Sequence, residues 1–281
     1  MQIFTEIEPL KAFLSQKKAK QQSIGLVPTM GALHQGHLFL VQSSKAENQV
    51  TVGTVYVNPT QFNDVGDLEK YPRSLEKDVA LLERGGCDAL FCPDNEEMYA
   101  QSSKMKFDFG PLDKILEGEF RPGHFSGVAL VVSKLFHIVQ PDIAYFGQKD
   151  FQQFQIISRL VEELKFGIQL RCIPTQRESD GLAMSSRNLR LNEQERKKAI
   201  VLFKSLSLAH EAIKQGRALA DIKVDIRKIW AEENGVRLVY FEVADRENLI
   251  LLDSVKSPNP YIMLIAGFVG EVRLIDNMIV G

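Results

Sequence analysis

Between residues 23 and 174, short runs of β-favouring residues alternate with segments of helical period, and few folds accommodate such a pattern. The runs are Ser23–Val27, Val50–Val57, Ala89–Cys92, Ile143–Phe146 and Ile168–Ile173. Leu38–Ala46, Ser74–Arg84, Val128–Val139 and Phe151–Leu164 lie among them, with apolar residues recurring at helical intervals. Repeated strand–helix units close into a parallel sheet through right-handed crossovers, with helices on both faces. The expected fold is therefore α/β and Rossmann-like. Ligands of such sheets bind beyond the carboxyl ends of the strands, so the loops that follow strands should hold the site.

After about Pro174 the texture changes. Asn192 to Gln215 reads as one long amphipathic helix, with Asn192 and Glu195 in the form of a capping box and Gly216 suited to the stop. A second helix, Ala220–Glu233, precedes strands at Leu238–Val243 and Tyr261–Phe268. These elements predict a smaller α+β C-terminal domain over residues 176–281, behind a nucleotide-binding domain over residues 1–175.

Composition narrows the function. Lys plus Arg total 34 against 36 for Asp plus Glu, a net charge of −2. Binding nucleic acid calls for cationic side chains that displace counterions, so no nucleic-acid partner is expected. The longest apolar run, Tyr261–Val269, is far short of the roughly 20 residues that span a bilayer, so no membrane partner is expected either. The N-terminus lacks a charged-then-apolar signal pattern. Three cysteines, Cys87, Cys92 and Cys172, have no His beside them at metal-ligand spacing; they read as small core residues of a reduced, cytoplasmic protein.

Three loops carry the chemistry. In the first, strand Ser23–Val27 runs into Pro28-Thr29-Met30-Gly31-Ala32-Leu33-His34-Gln35-Gly36-His37, and a helix begins. A helix N-terminus offers free backbone N–H groups and the positive end of a dipole, which favour phosphate. Gly31 and Gly36 allow close approach of the backbone, and the histidines flanking Gly36 can donate to charge that builds on phosphorus, or supply a proton. The second loop is Phe146-Gly147-Gln148-Lys149-Asp150: Lys149 offers a point charge for phosphate and Asp150 can accept from ribose hydroxyls, although a Gly turn with an N-capping Asp fits it as well. The third, Asp180-Gly181-Leu182-Ala183-Met184-Ser185-Ser186-Arg187-Asn188, gathers two hydroxyls and a guanidinium that suit the β- and γ-phosphates of ATP, or simply form a serine-capped turn.

Taken together the loops resemble the nucleotidylyl-transferase superfamily, through His34-Gln35-Gly36-His37 and Met184-Ser185-Ser186-Arg187. Within it the chain resembles the pantoate–β-alanine ligase (pantothenate synthetase) family. Pro28–His37, Val57–Phe62, Tyr71-Pro72-Arg73, Glu117-Gly118, Arg121–Phe125, Phe146–Gln153, Asp180–Asn188 and Arg273–Asn277 carry that resemblance, in the family's order and over nearly the whole chain.

The resemblance implies an ATP-dependent ligase that joins (R)-pantoate to β-alanine through a pantoyl adenylate, releasing AMP and pyrophosphate. It implies that Met30 to His37 lie along ATP, with Met30, Gly31, Ala32, Leu33, Gln35 and Gly36 among the ATP-binding residues, His37 as proton donor and His34 on the phosphates. Lys149 would stabilise the transferring group, with Gly147 and Asp150 holding the ribose and Gln148 also binding ATP. Gln176 would meet adenine through its main chain, and Met184, Ser185, Ser186 and Arg187 would hold the outer phosphates. Gln61 and Gln153 would grip the substrate; a glutamine donates and accepts without adding a like charge. Mg²⁺ is the implied cofactor, with Asp78 placed in its neighbourhood, and a cytoplasmic homodimer with a C-terminal lid the implied form. Gln176, Leu130 and His137 stand where the family more often has Val, Thr and Asn. Two rivals compete: a transferase acting on a phosphate acceptor, which would need added cationic residues where Gln61 and Gln153 stand, and a non-catalytic nucleotide-binding module.

Overall fold

The computed structural model describes every residue except 102 and 256–258. The chain forms two compact units, residues 1–147 with 152–174, and residues 148–151 with 175–281.

The first unit is built on six strands: β1 (Gln2–Phe4), β2 (Ile24–Val27), β3 (Val50–Thr54), β4 (Ala89–Phe91), β5 (Ile143–Gly147) and β6 (Gln169–Ile173). Every pairing is parallel and the order is β1-β4-β3-β2-β5-β6. All residues of β2, β3 and β4 are buried; β2 and β4 accordingly read as continuous apolar runs, while β3 carries the buried Thr51 and Thr54. Successive residues point to opposite faces. Ala89, Phe91, Ala144 and Phe146 join one core with Leu10, Val128, Leu135 and Ile157, whereas Leu90 and Tyr145 join another with Leu40, Val41 and Leu82. Both faces are thus covered by helices, as the alternation predicts. The order reverses between β2 and β5, which are neighbours. Two of the three expected loops leave the carboxyl ends of these strands.

The second unit holds an antiparallel sheet of β7 (Val236–Asp245), β8 (Tyr261–Val269) and β9 (Val272–Val280), in that order. Helices Val201–Lys214 and Leu219–Glu232 share a core with it through Leu202, Leu206, Ile226, Trp230, Met263 and Ile265. A Cβ on Gly267 would lie 2.2 Å from the Trp230 ring, so the sheet needs glycine there to admit the indole. The expected single helix from Asn192 to Gln215 is two. Glu193–Lys198 begins with the foreseen Asn192–Glu195 box, and Val201–Lys214 follows. Ala199 and Ile200 keep αR dihedrals, but Leu202 N–H bonds to Ala199 O, so the chain tightens there by one residue.

Candidate functional site

His34 is the N-cap of helix Gln35–Glu47, in extended conformation after the buried strand β2. Its Nδ1 accepts from Gly36 N–H at 3.1 Å, and the Nδ1 of His37 accepts from His34 N–H at 3.2 Å. A backbone N–H can only donate, so neither Nδ1 carries a proton and each neutral ring holds its hydrogen on Nε2. The ring centroids are 4.1 Å apart. The loop thus presents two imidazoles as Nε2–H donors, and a proton added at Nδ1 would break the cap.

The amides ahead of the helix already have acceptors within the chain. Gly31 N–H donates to Thr29 Oγ1 at 3.2 Å. Ala32 and Leu33 N–H donate to the two oxygens of Asp78, at 3.0 and 2.7 Å. The turn is left-handed at Gly31 (φ 82°) and Ala32 (φ 52°), and so aims successive N–H groups at one carboxylate. Asp78 sits on helix Leu75–Arg84, is 2% exposed, and acts as an internal anion in this nest. Burial pushes its carboxyl above the ordinary aspartate range, and the Leu33 and Ala32 amides pull it back. Among the described residues no group of three or more His, Cys, Asp or Glu could hold a metal.

Gln61 closes the 3-10 turn Pro59–Gln61 and is 6% exposed. Its Oε1 accepts from Asn58 Nδ2 at 3.0 Å, and its Nε2 points to Met30 Sδ at 3.1 Å. His124 Nδ1 lies 2.8 Å from Gln61 O, which can only accept, so this ring carries its proton on Nδ1; its Nε2, 3.2 Å from Arg121 Nη1, is then the acceptor. Tyr99 donates to Asn58 Oδ1 at 2.9 Å. Gly127 lets helix His124–Val139 touch this turn, since a Cβ there would lie 2.3 Å from Thr60 O. Gly127→Ala is therefore expected to lower stability by about 1–3 kcal/mol in a denaturant titration. A variant as stable as the parent would show that the helix has room to withdraw. Sequence reasoning assigned no role to Asn58, His124 or Gly127; Asn58 followed by Pro59 is the one readable signal, an N-cap before Pro at the first helical position. Gln153 is half-buried on helix Phe151–Glu163. Gly147 ends β5 with nothing within 4 Å of a notional Cβ. His137 is exposed and meets the Phe166 ring, and Leu130 is buried in its helix.

In the second unit Gln148–Asp150 is a 3-10 turn, with Lys149 Nζ 3.6 Å from Asp150 Oδ1. Residues 176–184 form a small hairpin: Arg177 bridges Ala183, Met184 N–H bonds to Gln176 O at 2.9 Å, and Gly181 (φ 94°) makes the turn. Ser185 then caps the 3-10 turn Ser186–Arg190, its Oγ accepting from Arg187 N–H at 3.3 Å. Gln176 therefore offers its carbonyl to the hairpin. Arg177 forks onto Asp276 at 2.6 and 2.9 Å, and stacks on Phe203, 4.6 Å from its ring centroid. Burial pushes the Asp276 carboxyl up, against the pull of this guanidinium. Asp180 pairs with Arg196 at 2.8 Å, which holds the Asp180 carboxyl below its usual value. A depressed carboxyl stabilises the fold above its unfolded-state value and loses that contribution as pH falls through the folded one. Asp180→Asn should therefore lower the melting temperature slightly at pH 7 and by progressively less as pH falls below the ordinary aspartate value; a loss that does not change with pH would exclude the ion pair as its cause.

A parallel sheet covered on both faces, with a helix capped by paired histidines after one of its central strands, defines the first unit as an α/β fold of the nucleotide-binding type. A model of the family described as pantoate–β-alanine ligase matches residues 2–279. The chain is 45% identical over 277 residues to the pantothenate synthetase of Cytophaga hutchinsonii, covering 98% of each. To that of Thermosipho africanus it is 45% identical over 281 residues, covering 100% of each. A crystal structure of pantothenate synthetase from Thermus thermophilus superposes with a TM-score of 0.91 at 41% identity, over 99% of each chain. The pantoate-β-alanine ligase from Francisella tularensis, complexed with β-γ ATP and β-alanine, superposes with a TM-score of 0.79 at 33% identity, over 99% of this chain and 97% of that one. The chain belongs to the pantoate–β-alanine ligase family. No helix among the described residues is long and apolar enough to cross a membrane.

Proposed function

We propose that the chain condenses (R)-pantoate with β-alanine in two steps. A pantoate carboxylate oxygen attacks the α-phosphorus of ATP, the bond to the β-phosphate breaks, and pyrophosphate leaves. The β-alanine nitrogen then attacks the acyl carbon of the adenylate, the carbon–oxygen bond to AMP breaks, and the nitrogen loses its proton. The observation that carries this reading is the capped histidine pair. It holds two neutral imidazoles with their hydrogens on Nε2 at the end of a strand of the parallel sheet, and donors of that type can stabilise charge on a pentavalent phosphorus without a covalent enzyme intermediate. His37 is assigned the α-phosphate and His34 the oxygens beside it, as neutral donors. Lys149 supplies a positive point charge, Ser185, Ser186 and Arg187 take the outer phosphates, Gly147 and Asp150 the ribose, and Gln176 the adenine by its main chain. Gln61 and Gln153 hold pantoate. The test is pantoate-dependent exchange of labelled pyrophosphate into ATP: exchange that appears only with pantoate is expected, and exchange unaffected by pantoate would overturn the reading.

Mg²⁺ bound to the triphosphate would neutralise charge there, and such ions need few protein ligands. The residue expected near it, Asp78, has both oxygens turned to the loop amides, so a cation would have to share them. Asp78→Asn puts an NH₂ against one of those N–H groups. It should lower exchange about tenfold or more with an unchanged Mg²⁺ requirement. Full activity restored by excess Mg²⁺ would make Asp78 a metal ligand instead. The same proposal places the chain in the cytoplasm as a homodimer, which sedimentation at twice the chain mass would support.

A further inference from the structure

Strand β9 forms one edge of its sheet and lies against both the Gln148–Asp150 turn and the Ser186–Arg190 turn. Its Asn277 is 1% exposed. Nδ2 donates to Gln148 O at 2.9 Å and to Lys149 O at 2.8 Å, and Oδ1 accepts from Gln148 Nε2 at 3.1 Å. Two carbonyls on one side of the amide can only accept, so the orientation of Asn277 is fixed and both its hydrogens are used. Asp276, 3% exposed, accepts from Asn277 N–H at 2.7 Å while gripping Arg177. Arg177 in turn donates to Asn277 O at 3.1 Å and to Gly181 O at 3.0 Å. One polar frame, buried at Asn277 and Asp276, therefore runs from the Lys149 carbonyl through these residues and Arg177 to the hairpin that leads into Ser185–Arg187.

We infer that Asn277 is a positioning residue for Lys149, and that the frame sets the lysine turn and the Ser185–Arg187 turn in one fixed relation. The inference rests on the role proposed for Lys149. The division of the chain agrees with it: residues 148–151 group with the second unit although the strand before them and the rest of the helix after them belong to the first. An ammonium is a point charge on a flexible stem, so its placement depends on where its main chain is anchored. A displacement of about 1 Å in a reacting constellation costs on the order of 100-fold in rate.

A double-mutant cycle tests whether Asn277 acts through Lys149. Asn277→Ala is expected to lower kcat for pantoate-dependent exchange on the order of 100-fold, with little change in the KM for pantoate. In a Lys149→Ala background the same change should cost almost nothing. Equal costs in the two backgrounds, or an unchanged kcat in Asn277→Ala, would overturn the inference. Should Asn277→Ala fail to fold, Asn277→Asp keeps the volume but cannot donate to either carbonyl, and it enters the same cycle. Should the wild-type protein not exchange at all, the proposed function falls. The cycle is then read from ATP affinity by calorimetry, where the same non-additivity is required.

Discussion

His37→Ala and Lys149→Ala are each expected to fold normally and to lose pantoate-dependent ATP–pyrophosphate exchange by roughly 100- to 1000-fold, the usual cost of one pre-aimed donor. Truncating His37 removes the Nδ1 that accepts from His34 N–H, yet Gly36 N–H still bonds to His34 and the helix keeps its cap. Loss of activity should therefore exceed loss of stability. His37→Asn separates the two functions of the ring, because its side-chain oxygen can accept as a cap while its NH₂ lacks the reach of Nε2. It should restore stability to His37→Ala without restoring exchange. Wild-type exchange in either alanine variant would sink the assignment.

Asp276→Ala should destabilise the second unit by about 3–5 kcal/mol, since it strands a guanidinium whose partner is buried. The Asp276 side chain is 1% exposed and that of Arg177 21%. Asp276 also receives Asn277 N–H, so one truncation leaves two donors without their acceptor. A melting midpoint lower by roughly 10 °C or more follows for a unit of this size. Pairing Asp276→Leu with Arg177→Met should recover much of that stability, because two apolar residues leave no unpaired charge. It should not recover activity, because the main-chain N–H and O of Asn277 lose their side-chain partners and the frame to the hairpin is broken. A loss below about 1 kcal/mol for Asp276→Ala would show that the pair contributes little.

The parallel sheet was legible because its central strands are buried on both faces and are made of apolar and β-favouring residues, separated by segments of helical period. β1 was not, having only three residues with two of them exposed. β9 was not read as a strand because Asp276 and Asn277, both buried, interrupt its apolar alternation with polar side chains turned inward. The strand-end loops could be found from connectivity alone, since a strand, glycines and a helix start are local signals. What holds them could not. Asp78 reaches Leu33 across 45 residues, His124 reaches Gln61 across 63, and Asn277 reaches Lys149 across 128. The loop's anion-binding character was readable, but not that its own carboxylate already fills the nest. The helical period from Phe151 onward likewise gives no sign that the turn before it belongs with another part of the chain.

That four-residue loan has a consequence for how the protein can be divided. A fragment beginning at Thr175 would contain the whole three-stranded sheet and both of its helices, yet lack Gln148 and Lys149, whose carbonyls and amide complete Asn277. Its edge strand would leave the Asn277 amide to water in place of the partners that fix its orientation. The C-terminal portion is therefore not a cassette that can be excised, swapped between relatives or appended to another nucleotide-binding sheet by joining at the linker. Any chimera must also carry the short turn from the middle of the partner sequence. Inheritance of the two parts is coupled at that point.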